Sequence, residues 1–162
     1  MATYRWVDRV QSWTGTHPAW LAANWSLILA AMGTRERAEL AAAYFLAEQI
    51  WINNPDQDFS IFNNNPALDP CASRGNCQRG FYQASYGSFS EALRAFKLRL
   101  RRSRQAYRLF VAGNVDWFRA AMVARRLPVD SANEAVTRYR QVWGIVGDWS
   151  QQQLEHSGVV GV

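Results

Sequence analysis

The stretch LAAAYFLAEQIW, Leu40 to Trp51, decides how the rest of the chain is read. From Leu40 to Ala47 the Tyr44 hydroxyl is the only polar side-chain group. A helix that is apolar all round belongs inside a domain, not on its surface. The first charge after that run is Glu48, with Trp51 one turn further on. A carboxylate at the end of a buried helix loses hydration, which raises its pKa and suits it to general acid chemistry. The competing reading is a helix-end glutamate that points into water.

Around this stretch the composition sets the bounds. A chain of 162 residues is long enough for one domain with a single core, and no internal repeat or linker divides it. Apolar residues make up 49% and aromatics 14%, which excludes a disordered polymer. No run of apolar residues is long enough to span a membrane. The opening MATYRWVDR carries charges where a signal peptide has its apolar region, so an extracytoplasmic role requires delivery by lysis or by a larger assembly.

The formal net charge is +5, and Lys97 is the only lysine among the basic residues. That balance favours anionic partners, either nucleic acid or the acidic polymers of a cell envelope. Cys71 and Cys77 stand close together in a Gly/Asn-rich stretch, where they either close a small disulfide or remain thiols. With only His17 and His156 beside them, the usual zinc ligand set is not assembled. No metal and no cofactor are expected.

The periodicity predicts a mainly α fold. A first short helix is expected over Tyr4 to Trp13, and a second from Pro18 to its stop at Gly33, with Trp20, Leu21, Trp25, Ile28, Leu29 and Met32 at helical spacing. Thr34 is placed to cap a third helix that carries Glu48 and ends before Asn53-Asn54-Pro55. Residues 54–87 lack a helical period, are rich in Asn, Asp, Pro and Gly, and read as a long loop with short extended pieces at Phe59 to Phe62 and Phe81 to Tyr86. Such a loop is either a functional lobe or a tolerated surface insertion.

Helix signals then return. Ser88-Phe-Ser-Glu91 is a capping box, followed by the apolar stripe Phe89, Leu93, Phe96 and Leu100. Arg94, Lys97, Arg99, Arg101, Arg102, Arg104 and Arg108 lie on the other side, which is either an anion-binding face or a solvated one. A further helix starts near Asp116 and runs through Phe118, Ala121, Met122 and Leu127 to Pro128. Ser131-Ala-Asn-Glu134 repeats the capping-box pattern, with Val136, Tyr139, Val142, Trp143 and Val146 behind it, and the tail from Gly147 loses pattern.

Four pieces of the chain resemble a known family in order and spacing. AYFLAEQIW (Ala43 to Trp51) is similar to the A-x-A-L-E-S-x-W stretch of bacterial glucosaminidases of glycoside hydrolase family 73, in the lysozyme-like superfamily. FSIFNNNP (Phe59 to Pro66) stands where that family has its N-L-F-G-I-K segment. FYQASYGSFSEALRAF (Phe81 to Phe96) resembles its F-x-x-Y-x-S-x-x-E-A-L-x-x-Y segment. Tyr107, Trp117 to Leu127 and Tyr139 to Trp143 follow in the family's order, so the resemblance covers roughly residues 34–146. Gln49 and Ile50 depart from the family's Ser-Gly, and Asn63 from its loop glycine.

The resemblance implies a lysozyme-like helical domain whose long loop, or a small hairpin within it, forms a lobe between the catalytic-type helix and the C-terminal helices. It implies cleavage of peptidoglycan glycan strands, of the N-acetylglucosaminidase or muramidase type, by a phage or prophage product. Glu48 takes the place of the general acid. A second carboxylate is sought in the loop lobe, where Asp69 beside the Cys71 to Cys77 loop is preferred over Asp56 and Asp58; a substrate-assisted route through the sugar's N-acetyl group needs none. Tyr86 matches the family's tyrosine as a substrate-positioning hydroxyl. Trp51, Phe62 and Tyr82 are candidates for stacking on sugar rings, with Asn63 and Asn64 beside them in the loop, although the aromatic residues fit a core equally well.

Three readings stand. The first is a peptidoglycan-cleaving glycosidase with Glu48 as acid, associated with envelope polymers or with virion or secretion-machine proteins. The second is a non-catalytic structural or tail-associated virion protein that keeps the fold, which the departures at Gln49, Ile50 and Asn63 favour. The third is a nucleic-acid-binding domain that uses the arginine-rich helix.

Overall fold

The computed structural model describes residues 16–50 and 88–156, with side chains from Ala19 to Ala47 and from Ser88 to His156. The described residues form six helices and no strand: α1 Thr16–Met32, α2 Arg35–Ile50, α3 Phe89–Leu100, α4 Arg104–Val111, α5 Trp117–Ala124 and α6 Val129–His156. The mainly α class read from the periodicity is therefore observed. The first expected helix, Tyr4 to Trp13, and the long segment over residues 54–87 lie outside the described residues.

α1 and α2 form a helical hairpin whose turn is written in two residues. Gly33 adopts φ +91°, a left-handed conformation open to glycine without Cβ strain, and its N–H closes on the Leu29 carbonyl. Thr34 Oγ1 then accepts the backbone N–H of Arg37 and starts α2. α1 buries Leu21, Ile28 and Met32, while Leu29 lies at the edge of that stripe, 36% exposed.

α2 is the central element. Every residue from Leu40 to Ala47 is buried. It packs most extensively on α6 and α1, and also meets α4. Its contacts with α6 run antiparallel: Arg35 at the start of α2 meets Ser150 near the end of α6, and Leu40 meets Tyr139 further back. Small alanines at 41, 42, 43 and 47 allow close approach of the neighbours, while Tyr44, Phe45 and Leu46 fill the space between them.

Three local readings change. The basic segment is not one helix: α3 ends at Leu100, and Ser103, in extended conformation, caps α4 by accepting the N–H of Ala106. The helix after Asp116 stops at Ala124 rather than reaching Pro128, because Arg126 turns left-handed at φ +56°. α6 starts at Val129 behind Pro128, so Ser131 lies inside its first turn, and the helix continues past Gly147 to His156. What extends it is packing: Ser150 is buried against α2, and Trp149 meets Trp25 of α1 edge-on at 5.4 Å.

Candidate functional site

Two polar clusters and one cavity surround α2. The first cluster sits inside the aromatic core. Trp117 Nε1 donates to Tyr139 Oη at 2.9 Å, and that hydroxyl donates to the Leu40 carbonyl at 2.7 Å. Phe118 stacks on the Tyr139 ring at 4.5 Å, and Trp117 stands perpendicular to it. Burial pushes the Tyr139 phenol far above its ordinary range, outweighing the hydrogen bond from Trp117. Tyr139 is thus a locked structural hydroxyl that stays protonated.

The second cluster lies where the start of α2 meets the end of α6. Arg35 Nε lies 2.8 Å from Glu39 Oε1 and 2.9 Å from Ser150 Oγ, and Arg35 Nη2 donates to Gln151 Oε1 at 3.0 Å. Burial raises the Glu39 carboxyl above its ordinary pKa, against the lowering effects of the Ser150 hydroxyl and the Arg35 charge. Ion pairing with Arg35 and the hydrogen bonds to α6 account for its position, and the cluster reads as a clasp between helices.

The cavity has about 310 Å³ and opens between α3, α4 and α5, with Tyr44 of α2 in its wall. Phe96, Trp117, Phe118 and Met122 make its floor, and Arg99 and Arg102 from the end of α3 and Arg125 from the end of α5 line it. The break at Ser103 is what creates this mouth, since a continuous basic helix would carry Arg99 and Arg102 along one straight surface. Of the other basic residues in the segment, Arg94, Arg104 and Arg108 are exposed, and the Arg101 guanidinium lies over the Tyr107 ring at 5.8 Å.

Glu48 belongs to α2, at the position directly after the buried run and one turn beyond Tyr44; its side chain lies outside the described residues, as do Trp51, Phe62, Asn63, Asn64, Asp69, Tyr82 and Tyr86. Cys71 and Cys77 lie outside them too. Among the described residues no group of three or more His, Cys, Asp or Glu side chains could hold a metal ion, and no helix is long and apolar enough to cross a membrane. The sequence reading did not single out Arg125, the Ser103 break or the Arg35–Glu39–Ser150 clasp. Ser103, followed by a helical pattern, carried a cap signal that the run of arginines hid.

No protein-family model, no curated protein and no solved structure matches the chain.

Proposed function

We propose that the chain is a peptidoglycan-cleaving glycoside hydrolase of lysozyme-like type, with Glu48 as its general acid. The observation that carries this reading is the uninterrupted burial of Leu40 to Ala47 on the central helix, with Glu48 the first charge after it. The position suits a carboxyl group that must hold a proton at neutral pH and deliver it to a leaving glycosidic oxygen. The order of the four family-like segments supports the same reading. Positive charge at the anomeric carbon is met either by a second carboxylate, for which Asp69 is the candidate, or by the sugar's own N-acetyl group.

The test is release of soluble fragments from purified cell walls by the full chain and by Glu48→Gln. The parent should clear walls, and the variant, which cannot donate the proton, should lose about 10²- to 10⁴-fold in rate while still binding them. A variant as fast as the parent removes Glu48 from the mechanism. A parent without activity on any wall preparation passes the assignment to the non-catalytic virion reading, which the departures at Gln49, Ile50 and Asn63 favour.

A further inference from the structure

We propose that the cavity between α3, α4 and α5 is a binding site for a small phosphate monoester that carries a one- or two-ring apolar body. The site is separate from the Glu48 assignment and stands or falls without it.

The sign of the ligand follows from the lining. Arg99, Arg102 and Arg125 contribute three positive charges, and no carboxylate lines the cavity among the described residues. Arg102 and Arg125 are exposed and have no carboxylate partner among the described residues. The start of α4 adds to them. Ser103 and Ala106 both line the cavity. The Ser103 hydroxyl accepts the Ala106 N–H at that edge. A helix N-terminus favours an anion through its dipole.

The chemical class follows from the number and shape of the donors. Three arginines lining one cavity match a phosphate dianion better than the single charge of a carboxylate. The floor of Phe96, Trp117, Phe118 and Met122 calls for an apolar body. A volume of about 310 Å³ admits one or two rings.

Isothermal titration of the full chain with 1-naphthyl phosphate tests the proposal, with 1-naphthol, 1-naphthoate and inorganic phosphate as the partial probes. The monoester should bind about tenfold or more tightly than each of them, since the floor and the arginines act together. The double variant Arg102→Gln/Arg125→Gln changes two exposed side chains and should weaken it by about tenfold or more. Arg108→Gln, exposed on α4 away from the cavity, should leave it unchanged. Ala121→Leu, which fills the cavity without altering charge, should also weaken the monoester. Equal affinity for the monoester and 1-naphthol, or unchanged affinity in the double variant, would overturn the site. So would a single-stranded oligonucleotide that binds more tightly than the monoester and weakens equally in the double variant and in Arg108→Gln, which is the behaviour of a diffuse nucleic-acid surface.

Discussion

The Tyr139 hydroxyl donates to the Leu40 carbonyl at 2.7 Å across 99 positions of the chain, joining the longest helix to the central one. The same oxygen accepts the Trp117 indole N–H, so one buried atom ties α2, α5 and α6 together. Tyr139→Phe keeps the ring stacked on Phe118 but strands the Trp117 N–H, whose residue is only 3% exposed. An unsatisfied buried donor costs about 1–3 kcal/mol. Urea unfolding should show a lower midpoint with unchanged slope, and a midpoint equal to the parent's would mean the indole finds another acceptor.

The Glu39 clasp makes a prediction about pH. Its carboxyl pKa is raised in the folded state, chiefly by burial. As pH rises from the ordinary carboxylate range toward the folded value, the unfolded chain releases this proton first, so this group's contribution to stability falls through that window. Glu39→Gln removes the contribution while keeping an acceptor for Arg35. The stability of the variant relative to the parent should therefore increase from about pH 4 to about pH 7. A difference that is flat or decreasing over that range would show that the Arg35 charge outweighs desolvation.

Gly113 closes α4 with φ +75°, and a Cβ built there would stand 3.2 Å from the Cβ of Glu36. Gly113→Ala combines left-handed strain with a tight approach to α2, and should cost about 1–2 kcal/mol. Thermal unfolding measures it directly; an unchanged melting temperature would show that the α4–α5 turn relaxes freely away from Glu36.

The two capping-box patterns in the sequence separate cleanly. Ser88 accepts the Glu91 N–H at 3.2 Å and caps α3, whereas Ser131 stands inside the first turn of α6. Ser88→Ala should cost about 1 kcal/mol, and Ser131→Ala should stay within about 0.5 kcal/mol of the parent, since alanine is the better residue within a helix. Equal losses at both positions would argue that α6 begins at Ser131 in solution.

What the sequence by itself determined is local: the mainly α class, the stop at Gly33, the caps at Thr34 and Ser88, and the burial of Leu40 to Ala47. These follow from backbone freedom at one glycine, from hydroxyls that satisfy orphan N–H groups, and from an eight-residue run too apolar to face water. Only the tertiary structure decided where the arginine segment breaks, how far α6 runs, and which basic residues converge. Ser150 and Trp149 prolong α6 because α2 and α1 offer them partners more than 110 residues away along the chain. Arg99, Arg102 and Arg125 share one cavity because α5 folds back against α4, and no period within a single helix encodes that meeting.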